Sequence, residues 1–110
     1  MKPTDLVQGT LDLLILKVLT LEPLHALAVA DRLRQVSGDV LQVSDGSLYP
    51  ALHKLEQNGW IKAVWRVTEN GRRAKYYALT RPGTKVLARE LANWDRISEA
   101  IGKVVRLAEN

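Results

Sequence analysis

Two strand-forming runs, Ile61 to Thr68 and Ala74 to Leu79, flank a short polar segment that contains Asn70-Gly71. Asn-Gly between alternating apolar runs is the strongest short-range hairpin signal, because both residues tolerate the positive φ of a tight turn. With that pair at the turn centre, Glu69 faces Arg72 and Thr68 faces Arg73 across the ladder. A lone hairpin is at best marginal in water, so it must lie against another element. The residues before it supply one. Leu48, Ala51, Leu52 and Leu55 recur at three- and four-residue spacing and share one stripe of a helix, which Gly59 ends. The middle of the chain is therefore a short helix followed by a hairpin.

Pro50 bears on where that helix starts. Proline is tolerated in a first turn, where its missing N–H has no intrahelical partner. This places the N-cap at Gly46 or Ser47 rather than Ser44, with Tyr49 in the first turn. At one hundred degrees per residue the face opposite the leucines holds Pro50, His53 and Gln57, with Tyr49 and Lys54 on its shoulders. A short helix whose outer face carries aromatic and hydrogen-bonding groups suits reading in a major groove. The hairpin tip beyond it carries Arg72, Arg73 and Lys75.

The flanking segments are helical. A first helix from Gln8 to Leu21 stops before Pro23, which turns Glu22 away from helical geometry. Leu11, Leu13, Leu14, Ile15, Leu16, Val18, Leu19 and Leu21 make it apolar on nearly all sides. Such a helix needs cover on two sides, and in a chain of 110 residues the second cover is expected from another copy. A second helix runs from His25 to Val36, with Gly38 as its stop. Thr80 caps the last helix, with Pro82 in its first turn, and the helix extends to about Leu107. Leu87, Leu91, Trp94, Ser98, Ile101, Val105 and Ala108 alternate four- and three-residue spacings, a short coiled-coil seam. Val86, Ile97 and Val104 widen it. About 25 helical residues span roughly 37 Å, too long for so small a domain to cover. A homodimer is the expected working unit, with residues 1–80 as the reading unit and 81–110 as the dimerisation helix.

Charge narrows the function classes. The net charge is +4, but its distribution says more. Residues 44–80 hold Lys54, Lys62, Arg66, Arg72, Arg73 and Lys75 against Asp45, Glu56 and Glu69, whereas the segment before them is slightly acidic. Positive charge collected on the helix and hairpin is a nucleic-acid footprint. The chain has no cysteine, and its two histidines, His25 and His53, lie on different helices. No cofactor or metal site is expected. No nucleophile has a base at recognisable spacing and there is no Gly-rich phosphate loop, so no enzyme is expected. Lys2-Pro3-Thr4-Asp5 is not a signal peptide, and Asp12 and Lys17 interrupt the apolar run after it. The expected location is the cytoplasm, without a membrane.

Four segments resemble the PadR family of bacterial transcriptional regulators. They are Gln8-Gly9-Thr10-Leu11-Asp12-Leu13-Leu14-Ile15-Leu16, Gly46-Ser47-Leu48-Tyr49-Pro50-Ala51-Leu52-His53-Lys54-Leu55-Glu56, Asn70-Gly71-Arg72-Arg73-Ala74-Lys75-Tyr76-Tyr77-Ala78-Leu79-Thr80, and Gly83. They cover most of the chain in the family's order. The resemblance implies an α+β, mainly α, winged helix-turn-helix with a two-stranded β-wing. It also implies a homodimeric repressor on palindromic promoter DNA, in the compact branch with a single C-terminal helix that packs on the partner's first helix. The chain departs from the family in carrying Ala26-Leu27 where Gly-Tyr is common. Gly102 also weakens the last helix by about 1 kcal/mol relative to alanine.

Site residues follow from the two readings together. Ser47 and the N–H groups around it suit a phosphate, beside Ser47's plainer role as a cap. Tyr49 contacts a phosphate or base edge, or else packs the turn between helices. His53 reads a base edge, and Lys54 meets a phosphate or only solvent. Arg72 and Arg73 enter or straddle the minor groove with Lys75 on the backbone, or else the cluster is only a solvated face. Dimerisation falls to Leu11, Leu14, Leu87, Leu91, Trp94, Ile101 and Val105. Trp94 is most simply an interface residue. The resemblance adds a second use, as a stacking platform for a small aromatic effector between the two last helices. Trp60 and Trp65 read as structural residues at the hairpin base. The rival reading is a winged-helix module that binds proteins and has lost DNA; a nonspecific nucleic-acid binder is a third.

Overall fold

The computed structural model describes residues 8–108, so the stretch Lys2–Asp5, read above as no leader, lies outside the described residues. Four helices, α1 (Gln8–Val18), α2 (Ala26–Val36), α3 (Asp45–Gln57) and α4 (Arg81–Val105), accompany three strands, β1 (Leu24–His25), β2 (Ile61–Val67) and β3 (Arg73–Leu79). The mainly helical winged fold is the expected one. Its sheet is larger than expected, because the antiparallel order β1-β3-β2 adds a third strand. Leu24 pairs with Tyr77 and His25 with Tyr76.

That strand depends on an early end to the first helix. α1 closes after Val18 in a turn where the Thr20 hydroxyl donates to the Lys17 carbonyl at 2.7 Å, three residues short of the expected Leu21. The chain then passes Pro23 extended and reaches β3. His25, expected inside the second helix, is instead its N-cap, with extended backbone and Nδ1 accepting from the Ala28 N–H at 3.1 Å.

α3 departs from the proline argument. Its N-cap is Ser44, whose hydroxyl accepts from the Ser47 N–H at 3.3 Å. Asp45 opens the first turn, where the helix dipole favours a carboxylate. Pro50 is therefore the sixth helical residue and Tyr49 the fifth, in the second turn. The proline forgoes one bond to the Gly46 carbonyl, but Gly46 is exposed, so water can replace the lost partner. An interior proline costs about 3 kcal/mol. Leu48, Leu52 and Leu55 are almost fully buried, and each contributes roughly 1.5–3 kcal/mol. The leucine stripe outweighs the proline.

The hairpin register is one residue off the expected one. Val67 faces Arg73 and Ile61 faces Leu79. The loop has three residues, Glu69-Asn70-Gly71, with the Gly71 N–H donating to the Thr68 carbonyl at 2.9 Å and the Thr68 N–H to the Arg72 carbonyl at 2.7 Å. Gly71 takes φ +75, the left-handed residue that closes a three-residue hairpin.

α1 lies at the centre of the core. Leu11, Leu13, Ile15, Leu16 and Leu19 are buried, and α1 packs against α2, α3 and α4 of the same chain. The second cover expected from a partner is thus supplied in large part by the chain's own last helix. Leu11 and Leu87 both belong to this core, and Leu14 and Leu91 are partly buried against it.

The first turn of α4 is clamped to the end of the α3–β2 connection. Thr80 donates its N–H to the Trp60 carbonyl at 3.1 Å and its hydroxyl to the Gly59 carbonyl at 2.6 Å. It also caps α4 by accepting from the Gly83 N–H at 3.1 Å. Gly83 fits only as glycine, since a Cβ there would sit 1.9 Å from the Trp60 carbonyl oxygen. The far half of α4 projects from the body. The radius of gyration is 16.0 Å, against about 13 Å for a compact chain of this length. Among the described residues no helix is long and apolar enough to cross a membrane.

Candidate nucleic-acid interface

The burial of Leu48, Ala51, Leu52 and Leu55 fixes which way α3 faces. Tyr49, Pro50, His53 and Gln57 are left exposed on the outer side, Tyr49 by 52 %. Ser47 is half-buried, and its hydroxyl accepts from the Ser44 hydroxyl at 3.3 Å.

Two of the expected phosphate lysines already have carboxylate partners. The Lys54 Nζ bonds Asp12 of α1, and the other carboxylate oxygen of Asp12 is buried without a partner. The Lys75 Nζ bonds Glu56 of α3 at 3.1 Å. That hydrogen bond, chief among several causes, raises the Lys75 pKa above the ordinary lysine value. The end of α3 is thereby tied by charge to α1 on one side and to the wing on the other. The Lys75–Glu56 pair, about a third exposed on both sides, contributes at most about 1 kcal/mol, so its effect is to set geometry more than stability.

The wing arginines differ from one another. Arg72 is exposed in the turn, with no acidic partner among the described residues. Arg73 lies over the Trp65 ring, 4.9 Å from its centroid. On the other face Arg66 lies over Tyr76 at 5.1 Å, and Tyr76 meets the edge of His25 at 5.5 Å. Trp65, expected as a structural residue at the hairpin base, is an exposed mid-strand one; Trp60 is half-buried against the core. The signal for Trp65 lay in the loop: counting Glu69-Asn70-Gly71 as three residues sets the register that brings it beside Arg73.

A second surface runs along α4. Trp94, Ile97, Ile101, Val104 and Val105 are exposed, Trp94 by 46 %. Where Trp94, Ile97 and Ile101 pass α1, an apolar cleft of about 310 Å³ opens beside Leu13 and Thr10. Of the expected dimerisation residues, Trp94, Ile101 and Val105 remain uncovered.

Comparison with known proteins agrees with the fold. Residues 15–89 match the model of the transcriptional regulator PadR-like family. The chain is similar to a transcriptional regulator from Clostridium thermocellum, 26 % identical over 93 % of this chain and 99 % of the other, with a TM-score of 0.84. It is similar to a PadR family transcription regulator from Clostridium difficile, at 26 % identity, 88 % and 99 % coverage and a TM-score of 0.77. A third likeness, to a PadR family transcriptional regulator from Eggerthella lenta, has 28 % identity, 92 % and 86 % coverage and a TM-score of 0.78.

Proposed function

The chain belongs to the PadR-like family of transcriptional regulators, and from that premise we propose that it is a homodimeric repressor of palindromic promoter DNA in the cytoplasm. Its relatives are regulators rather than enzymes. The reading rests above all on one observation: the exposed face of α3 and the basic wing are positioned by the same core. Tyr49 and His53 project from α3, and Arg73 and Lys75 stand on the wing face that turns toward it. In this reading α3 enters the major groove with Tyr49, His53 and the Ser47 turn, and Arg72 and Arg73 reach the adjacent minor groove. Lys54 and Lys75 meet phosphates by exchanging their carboxylates.

Residues 1–80 form the reading unit and 81–110 the dimerisation helix. The uncovered apolar strip of α4, from Trp94 to Val105, supports a second copy as its cover. Two reading helices then lie about 34–36 Å apart, one turn of DNA. A flat aromatic effector stacked on Trp94 would change their separation by favouring one dimer geometry. The test is a salt titration on the DNA upstream of the protein's own gene, with light scattering in parallel. The proposal expects a dimer whose specific binding weakens steeply with salt. A monomer at micromolar concentration, or no binding even at low salt, overturns it, the latter in favour of a protein-binding module.

A further inference from the structure

Trp65 stands in the middle of β2 with 54 % of its surface exposed, and Val67, two residues on, is 71 % exposed. Neither the core nor the reading face described above accounts for them. The register shows which face they occupy. Trp65 is opposite Lys75 and Val67 is opposite Arg73, and directly opposed residues share a face. Lys75 on that face reaches Glu56 of α3. Trp65, Val67 and Arg73 therefore line the side of the wing that looks toward α3, and there the Arg73 guanidinium rests over the indole.

An arginine at a hairpin tip samples many rotamers and loses that freedom when it binds. Tryptophan is the best of the aromatic partners for a cation over its face. We propose that Trp65 is a positioning residue of the wing: its ring holds Arg73 on the α3 side of the hairpin, ordered before DNA arrives. The two tip arginines then differ in role. Arg73 is pre-placed, while Arg72, with no ring beneath it among the described residues, adapts. Arg66 over Tyr76 is the same kind of pair on the face turned away from α3 and serves as the built-in control. The inference rests on the DNA-binding reading above.

The test is a double-mutant cycle on the full chain, using a duplex footprinted upstream of its gene, with affinity read by fluorescence anisotropy at fixed salt. Arg73→Ala and Trp65→Ala each weaken binding. The double variant is expected to be no weaker than Arg73→Ala alone, a coupling of about two- to fivefold, the scale of an exposed cation–π contact. Trp65→Phe, which keeps a ring, restores most of the affinity, and Trp65→Leu does not. Trp65→Ala combined with Arg66→Ala is additive. In the free protein the Arg73 side-chain protons show an upfield ring-current shift in NMR that Trp65→Leu removes. Additive effects of Trp65 and Arg73, or no ring-current shift, overturn the role of Trp65 while leaving DNA binding intact. No salt-sensitive binding by the wild-type chain overturns both.

Discussion

Gly83→Ala is the substitution whose effect the fold predicts most sharply. The added Cβ would lie 1.9 Å from the Trp60 carbonyl oxygen and 2.9 Å from Leu79 Cδ1. A carbon–oxygen contact relaxes at about 3.3 Å, so α4 must withdraw from the Trp60 carbonyl by about 1.4 Å. Three hydrogen bonds of Thr80 resist that withdrawal, those to the Trp60 and Gly59 carbonyls and the one from the Gly83 N–H. Weakening two of them costs about 0.5–1.5 kcal/mol each, and the remaining overpacking about 1–3 kcal/mol. Alanine's helix propensity returns about 1 kcal/mol. The net expectation is roughly 1–5 kcal/mol of destabilisation, centred near 3, a fall in Tm on the order of 10–20 °C at that centre for a domain of this size. Urea unfolding followed by circular dichroism, at matched protein concentration because any self-association couples to stability, measures it directly. Gly102→Ala is the internal comparison. A Cβ there meets only the flexible end of Arg106, 2.8 Å away, so the same substitution in the same helix should stabilise by up to about 1 kcal/mol. If Gly83→Ala proves as stable as the wild type, the clamp between Trp60 and α4 is not what the geometry says it is.

Three further outcomes follow from local geometry. Ser44→Ala removes the cap of α3 and should lower stability by about 1 kcal/mol, with Ser47→Ala closer to neutral in the same urea series. His25→Ala removes the α2 cap and the edge contact with Tyr76; a loss of about 1 kcal/mol is expected, and Asn at the same position should recover most of it. Glu56→Gln takes away the partner that raises the Lys75 pKa. A raised lysine stabilises the fold fully below its unfolded value and ceases to do so as pH climbs through the folded one. The Glu56→Gln deficit, at most about 1 kcal/mol, should therefore hold through neutral pH and close only at alkaline pH; a deficit that closes near pH 7 would point to some other group.

The helices were legible because their apolar residues repeat with the helical period over ten or more positions. β1 was not, since two residues carry no period and only pairing with Tyr76 and Tyr77 makes Leu24 and His25 a strand. The start of α3 was misplaced because Pro50 was weighed without its surroundings: Ser44, Asp45 and three buried leucines together outweigh one lost hydrogen bond. In the wing, Asn70-Gly71 marked the turn but not its length, and one extra loop residue moves each arginine to the opposite face. The cation–aromatic pairs depend on that register and were hidden with it. The composition of α1 suggested a partner where the chain's own α4 does much of the covering. What composition could locate were the types of residue at the candidate site, Tyr49, His53 and the wing cations. Their partners Asp12, Glu56 and Trp65 are far away in sequence and emerge only from packing.

The carboxylates beside Lys54 and Lys75 bear on how such a protein would search a genome. A lysine that leaves Asp12 for a phosphate strands a carboxylate whose inner oxygen already lacks a partner. This penalty is the same at every position along DNA. It lowers affinity for random sequence and for the operator alike, leaving their ratio unchanged, and that ratio against the number of competing sites is what matters in a cell. Its consequence is kinetic: shorter dwell times at wrong sites, because each departing lysine is drawn back to its own carboxylate.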